Sequence, residues 1–394
     1  NPGLEPKAFS DLIDQIGSLG GFLDIISGGS FRLATIFAMG ISPYINSSII
    51  MQLLTVAIPA LERLQKEGEE GRKIIQQYVR YGAVLLGLVQ TIALYITVQA
   101  RGGIIDGGSV LSFLTITLTF TAGTAFLMWL GEQITEHGVG NGISMIIFAG
   151  IVSRAPDGAK ALIVNYQLKR FGEGIIGIFV ILLILAAFVA VIAGVIWVQE
   201  AERRIPIQYA KRVVGRKMYG GQSTPLPIKV NLAGVIPIIF AMSIMMFPST
   251  IVTMFFANAN NWFVNLFKNP QKSPLYILIN ALLIIFFTFF YSIIQFNPIE
   301  IANNMKKNGG FIPGYRPGKA TSDYISKVLT RITWFGGFFL AIITIAPIII
   351  SNITKIPGMW LSGQTVLILV GVALETVKQV ESQMLMRHYK GFLE

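Results

Sequence analysis

The sequence predicts an all-α protein that crosses a membrane many times. Of its 394 residues, 53% are apolar and only 13% are charged, and the mean hydropathy is +0.64. The apolar residues are grouped into nine stretches, each close to the roughly 20 residues that a helix needs to cross a bilayer. Composition and grouping together favour lipid over water as the main solvent of the fold.

The nine predicted spans follow one another along the chain after an amphipathic, glycine-rich segment that is too polar to span. They cover residues 33–58, 81–100, 109–131, 142–164, 174–198, 231–257, 275–296, 332–354 and 359–377. The sequence starts at NPGLEP, with neither a methionine nor a signal peptide. We therefore expect a further span to precede it in the full-length protein.

The distribution of basic residues predicts the orientation of these spans. Alternate connections, together with the chain ends, contain 21 Lys and Arg on one side, and the remaining 10 are assigned to the other side. The positive-inside rule places the richer side in the cytoplasm, so we expect a cytoplasmic C-terminus and an outer Asn1. A net charge of +11 that is collected in such loops does not require a nucleic-acid partner.

Residues that carry enzyme or metal chemistry are scarce. The sequence has no cysteine, and its two histidines, His137 and His388, have no partners at metal-ligand spacing. No Walker A, HExxH or GxSxG motif is present. The sequence therefore predicts no catalytic site, no cofactor and no metal site, and any energy must come from a partner.

An ion-coupled secondary transporter is the alternative to a passive pore. Such transporters also use broken helices, but they usually keep an ionisable residue at the membrane midplane. We expect no charge well inside the spans except Glu375, near the cytoplasmic end of the last one. This expectation favours the pore over the transporter.

Small polar residues and prolines interrupt several of the spans. The stretches are GISPYINSS at 40–48, GVGNGIS at 138–144, VNLAGVIP at 230–237, MFPST at 246–250 and SGQT at 362–365. Tight helix packing explains any one of them best, but unpaired backbone at membrane depth is tolerated only beside protein or a water-filled cavity. Together they predict a cavity.

Two pairs of isoleucines lie beside these breaks, Ile45 with Ile49 and Ile143 with Ile147. The two members of each pair are one helical turn apart, and such side chains can form a constriction that seals by dewetting.

Two connections on the cytoplasmic side are unusually long. Residues 199–230 contain β-branched and aromatic pieces between basic clusters, which is typical of strands. In residues 297–331, Pro and Gly at 309–318 predict a tight protruding loop. Both are either solvated loops or a docking surface for a large anionic partner, such as ribosomal RNA or an acidic protein face.

Six motifs make the chain resemble the bacterial SecY family, the pore subunits of Sec protein-conducting channels. They are GISPYINSSIIMQLL, FLMWLGEQITEHGVGNGISMIIFAGIV, AERRIPIQYAKR, GGQSTPLPIKVNLAGVIPIIF, FNPIEIANNMKKNGGFIPGYRPGKAT and the closing MLMRHYKGF. The similarity follows the order of the family over nearly the whole chain. SecY-like proteins have ten spans and a cytoplasmic N-terminus, so this sequence lacks the first span.

The resemblance implies a fold and an activity. Two bundles, residues 1–164 and 165–394, are expected to clasp a central pore that passes unfolded secretory polypeptides and releases membrane segments sideways into lipid. The channel itself would catalyse no reaction. Implied partners are SecE-like and SecG-like membrane subunits, the SecA motor, the ribosome, signal sequences, secretory precursors and lipids. The implied location is the bacterial inner membrane.

The resemblance also implies roles for particular residues. A plug is expected at about 20–32, including Gly21, Phe22, Leu23, Asp24, Ile25 and Ile26. The pore ring would be Ile45, Ile49, Ile143, Ile147, Ile239 and Ile368, with Ile238 as the alternative to Ile239. A lateral gate between 41–58 and 231–257 would use Asn46, Ser47, Ser48, Gln90 and Asn231. Docking residues would be Arg203, Arg204, Lys211, Arg212, Arg316 and Lys319.

Overall fold

The computed structural model describes most of the chain. The described residues are 27–99, 108–168, 175–209, 223–255, 261–268, 273–354 and 363–390, the segments 212–214 and 217–219, and Leu4, Asp24 and Ile104. They form thirteen helices and five short strands, so the predicted all-α membrane fold is confirmed.

The first seven helices precede the strands. They are α1 (Ser42–Ala57), α2 (Pro59–Lys66), α3 (Glu69–Gln99), α4 (Val110–His137), α5 (Gly142–Ser153), α6 (Ala155–Gln167) and α7 (Ile175–Glu200). The strands are β1 (Glu202–Tyr209), β2 (Arg212–Val214), β3 (Lys217–Tyr219), β4 (Ser223–Lys229) and β5 (Gly310–Phe311). The remaining helices are α8 (Ile236–Phe255), α9 (Trp262–Lys268), α10 (Pro274–Gln295), α11 (Pro298–Lys307), α12 (Lys319–Thr354) and α13 (Gly363–Lys390).

Not every predicted span is a long helix. Among the described residues, six helical segments are long and apolar enough to cross a membrane, and they are based on α3, α4, α7, α10, α12 and α13. α1 and α2 would make a seventh span as a pair bent by 101°. Helix formation in the predicted span 33–58 starts only at Ser42, and in 231–257 only at Ile236. The predicted span 142–164 is divided between α5 and α6.

Helix-start signals explain why these helices are shorter than their apolar stretches. Before α1, Gly40 takes a left-handed backbone with φ +56°, and Pro43 lies in the first turn. Before α5, the Asn141 side-chain oxygen accepts hydrogen bonds from the backbone N–H groups of Ile143 and Ser144 at 3.1 and 3.2 Å. The polar residues within the apolar stretches therefore set where the helices begin.

The expectation about charge inside the spans was wrong for 142–164. This range contains Arg154, Asp157 and Lys160, which surround the break between α5 and α6. Pro156 lies in the first turn of α6, where its ring cannot continue a preceding helix without loss of a backbone hydrogen bond. Arg154 and Asp157 therefore lie at the break between the two helices, and Lys160 lies within α6.

The helices pack in two groups. α1, α3, α4 and α5 contact one another in series, and so do α8, α10, α12, α13 and α7. The largest buried cluster lies in the second group and contains Val195, Ile238, Ile284, Leu340 and Leu367. The two groups meet where α5 packs on α13 and α6 on α7, and where Ile49 of α1 enters the large cluster.

The two long connections fold together into one unit outside the helical groups. β1 pairs antiparallel with β4 from Glu202 opposite Lys229 to Gln208 opposite Ser223, as the strand-like pieces predicted. β5, from the other connection, adds to the free edge of β1. Side chains from both connections fill a shared core that contains Ile205, Ile207, Ile228, Met305, Ile312, Ile325 and Leu329. This shared core holds the two loops in one position.

Candidate functional site

The six isoleucines of the predicted ring lie where α1, α5, α8 and α13 converge. Ile147 and Ile368 are buried in one apolar cluster, and Ile45 and Ile143 pack against it. Ile49 is buried in the adjoining cluster, and Ile239 packs against that one. Ile45, Val235 and Leu369 contact both clusters, so the six side chains form one continuous apolar region.

Ile238 and Ile239 differ in burial. Ile238 is 1% exposed and lies in the core of the second helix group, whereas Ile239 is half-buried. Ile49, Ile147 and Ile368 are themselves only 4–7% exposed, so burial alone does not separate the two positions. Ile239 stays the predicted ring residue, with Ile238 as the alternative.

Sequence reasoning missed two members of this region. Ile41 and Ile151 are both buried in the same cluster as Ile147 and Ile368. Each continues an isoleucine pair by one further turn, since Ile41 comes four residues before Ile45 and Ile151 four residues after Ile147. The i, i+4 spacing was therefore the signal that could have found them.

Two of the polar interruptions allow helices to approach closely. A Cβ atom on Gly142 would lie 1.9 Å from the Gly131 carbonyl oxygen, and the Gly142 N–H donates to the Thr135 hydroxyl at 2.8 Å. A Cβ atom on Gly363 would lie 1.7 Å from the Ile343 carbonyl oxygen. At these positions the packing explanation is sufficient, because the start of α5 sits against α4 and the start of α13 against α12.

The predicted gate residues face different neighbours. Ser47 is 2% exposed, and its hydroxyl donates to the Val79 carbonyl oxygen of α3 at 2.7 Å, so it packs within the first helix group. Asn46 is 6% exposed, while Ser48 and Gln90 are half-buried. Asn231 is also 6% exposed, and neither atom of its side-chain amide has a hydrogen-bond partner among the described residues. The structure thus separates Ser47 from the other predicted gate residues.

Of the six plug residues that were named individually, Asp24 lies in the described part of the chain, and so do residues 27–32 of the predicted plug range. Asp24 is helical and 3% exposed, and its carboxylate forms an ion pair with the Arg154 guanidinium at the end of α5. Gly21, Phe22, Leu23, Ile25 and Ile26 lie outside the described residues. Asp24 thus contacts the end of the helix that carries Ile143 and Ile147.

The predicted docking residues are on the unit formed by the strands and by the start of α12. Arg203 and Arg204 are exposed on β1, where Arg204 also pairs with Glu202 at 2.6 Å, and Arg316 and Lys319 are exposed after β5. The Arg316 carbonyl oxygen accepts from the Thr321 hydroxyl at 2.9 Å, and the ring centroids of Tyr315 and Tyr324 are 4.3 Å apart. Lys211 lies outside the described residues, and Arg212 belongs to β2. These contacts hold the loop between β5 and α12 against the start of α12.

Comparison with known proteins identifies the family of the chain. A family model described as SecY matches residues 35–377. The protein translocase subunit SecY of Halalkalibacterium halodurans is 48% identical over 390 residues, which cover 98% of this chain and 90% of the relative. The same subunit of Thermus thermophilus is 46% identical over 398 residues, covering 100% of this chain and 90% of the relative.

Solved structures share the fold at low sequence identity. A structure described as a protein conducting channel has a TM-score of 0.61 and 18% identity, covering 92% of this chain and 84% of its own. A SecY structure, whose plug domain is described as stabilising the closed state and maintaining a membrane seal, has a TM-score of 0.57 and 18% identity, with 89% and 83% coverage. Sec61 in a canine ribosome-channel complex has a TM-score of 0.55 and 17% identity, with 92% and 84% coverage. The family model and the close relatives each cover most of the chain, and the chain belongs to the SecY family.

Proposed function

We propose that this chain is the pore subunit of a channel that passes unfolded secretory polypeptides across a bacterial inner membrane and releases apolar segments sideways into lipid. The observation that carries this proposal is the convergence of isoleucines from α1, α5, α8 and α13. Both SecY relatives are described as protein translocase subunits. The chain is thus a multi-pass membrane transporter of polypeptides and not an enzyme.

The isoleucine collar has to meet two opposing requirements. It must exclude ions, yet a polypeptide of any sequence must slide through it. A narrow aliphatic collar holds water poorly and offers no hydrogen bond to a passing chain, so it satisfies both. Isoleucine is stiff at χ1 in a helix, which helps the empty collar keep its shape. We assign the collar to Ile45, Ile49, Ile143, Ile147, Ile239 and Ile368.

The lateral gate is assigned to the seam between α1 and α8, where the two bundles, residues 1–164 and 165–394, meet. Ile49 of α1 belongs to the same buried cluster as Ile238, Ala241 and Met242 of α8, which is the arrangement of a closed seam. Asn46, Ser48, Gln90 and Asn231 are its polar residues, while Ser47 anchors α1 to α3 through Val79. Asn231 is buried without a hydrogen-bond partner among the described residues, so its amide stands to gain one when the seam opens.

The energy for transport comes from outside the chain. The shared β1–β4–β5 unit presents Arg203, Arg204, Arg316 and Lys319 to solvent in a fixed arrangement, which suits an acidic protein face or RNA. We assign this surface to the SecA motor and the ribosome, and we add Lys211 and Arg212 to the assignment from their place in the sequence. The Sec61 relative is described in a complex with a ribosome, which supports this assignment.

The charge distribution and the lipid-facing helices complete the proposal. The 21 basic residues in one set of connections support a cytoplasmic position of the strands β1–β5 and of the C-terminus. α7 is the most apolar of the candidate spans, and only 6% of its most apolar 18-residue stretch is buried. Such a helix leaves an extended apolar face for lipid and for small SecE-like and SecG-like subunits.

Reconstitution tests the proposed function. The full-length chain is purified with its small membrane subunits and placed in proteoliposomes with SecA, ATP and a secretory precursor. We expect the precursor to become protected from added protease, whereas the same protein without its signal sequence stays accessible. A folded complex that binds SecA but protects neither substrate would contradict the proposal.

A further inference from the structure

An ion pair joins the plug segment to the helix that carries part of the isoleucine collar. The buried carboxylate of Asp24 contacts the Arg154 guanidinium, and its other oxygen accepts from the Arg32 backbone N–H at 3.0 Å. Arg154 is 22% exposed and also donates to Asp157 at 2.8 Å. Asp24 and Arg154 are 130 residues apart, so this contact is part of the tertiary structure and not of a local turn.

A glycine turn seats the plug segment on the end of α5. The Asp24 carbonyl oxygen accepts from the Gly29 N–H at 2.7 Å, and Gly28 has φ +64°, the pattern that ends a helix at a left-handed glycine. A Cβ atom on Gly28 would lie 3.4 Å from the Gly150 Cα, and one on Gly29 would lie 3.0 Å from Arg154 Nη1. The turn therefore depends on glycine for its backbone angles, and it lies in van der Waals contact with the end of α5.

The same region is connected to the collar through two helices. On α5, Arg154 follows Ile147 by seven residues, which is about 10 Å along a helix axis. Along the chain, the turn leads through Gly40 into α1, and a Cβ atom on Gly40 would lie 3.5 Å from the Ser27 Cβ. Movement of the plug segment away from α5 would thus disturb both helices that carry Ile45 and Ile147.

We propose that the Asp24–Arg154 ion pair is a latch that sets how strong a signal sequence must be to open this channel, an inference that rests on the proposed function. If Asp24 separated from Arg154 while still buried, its charge would be left without a partner, which is costly. The closed state therefore resists partial release of the plug. Arg154 keeps Asp157 as a partner when Asp24 leaves, and Asp24 can reach water once the plug moves. The latch therefore opens and closes reversibly.

A double-mutant cycle tests the latch in proteoliposomes. The full-length channel and its Asp24→Asn, Arg154→Gln and double variants are compared with two precursors, one normal and one with a charged residue in its signal core. The quantity measured is the amount of the defective precursor transported divided by the amount of the normal one. We expect each single variant to raise this ratio at least about fivefold, the lower end of typical couplings between sites. The double variant should raise it no further, because one pair is lost in all three.

Asp157→Asn is the matched control, since it removes the exposed partner of the same guanidinium and leaves Asp24 in place. It should leave the ratio unchanged. If the Asp24→Asn channel does not assemble, the ratio for Arg154→Gln is compared with those of the parent and of Asp157→Asn. A ratio like that of the parent in the folded single variants, an additive double variant, or an equal effect of Asp157→Asn would each overturn the latch. Failure of the proposed function would look different, because the parent channel would then not transport even the normal precursor.

Discussion

Replacing Ile368 with Asn is the most informative change to the collar. Ile368 is 4% exposed in the cluster that also contains Ile147. Removing a buried side chain of this size loses about 1.5–3 kcal/mol of apolar burial. The new amide adds about 1–3 kcal/mol if it stays buried without a partner. Because the open state also loses part of these contacts, we take about 3 kcal/mol as the net destabilisation of the closed state.

A change of this size has a measurable effect on gating. Since about 1.4 kcal/mol corresponds to a factor of ten, the ratio of open to closed channels should rise roughly a hundredfold. We expect more ion leak through the Ile368→Asn channel in planar bilayers, together with easier export of precursors that have defective signal sequences. Both effects follow because less binding energy from the signal is needed to open the channel.

Ile368→Val is the matched control, because it removes one methylene and keeps the collar apolar. Its expected cost of about 0.5–1.5 kcal/mol corresponds to a change of no more than roughly tenfold. The order of leak should therefore be Asn well above Val, and Val slightly above the parent. An Asn channel as tight as the parent and as strict towards defective signals would refute the assignment of Ile368 to the collar.

Two further predictions concern the docking surface and the gate. Arg316→Glu reverses an exposed charge on the loop after β5 and should strongly reduce SecA-dependent translocation. Lys306→Glu makes the same charge change at an exposed position of α11 and should have little effect. Equal effects of the two variants would argue against a specific role of Arg316. Asn231→Leu replaces an unpartnered buried amide with an apolar side chain of similar size. The closed seam should become about 1–3 kcal/mol more stable, so translocation should slow. Faster translocation would contradict this assignment of Asn231.

Hydropathy was sufficient to predict the long helices. α3, α4, α7, α10, α12 and α13 each contain an apolar stretch of the length that a bilayer requires, and that property depends on composition alone. The method failed at the helix breaks, because it averages over about 20 residues. Gly40 and Pro156 each change the backbone at one position, which such an average does not detect.

The directions of side chains and their contacts with residues far away in the chain could not be predicted from the sequence. Ser47 and Ser48 are neighbours of the same type, yet only Ser47 is fully buried and bonded to Val79, because adjacent residues point about 100° apart on a helix. The sequence marked Asp24 as part of a plug but gave no sign of its partner Arg154. That pairing depends on how α5 ends, which is set by a break that hydropathy had missed.

Site-specific crosslinking to a polypeptide in transit is the most direct test of the central claim, which is that the substrate passes through the isoleucine collar. The chain contains no cysteine, so single cysteines can be introduced at Ile147, at Ile368 and, as a control, at the exposed Ile178 of α7. A precursor with one cysteine is arrested halfway by a folded domain at its end, and disulfide formation is then induced. We expect adducts from positions 147 and 368 and none from 178. Adducts that form equally at all three positions, or only at 178, would contradict passage through the collar.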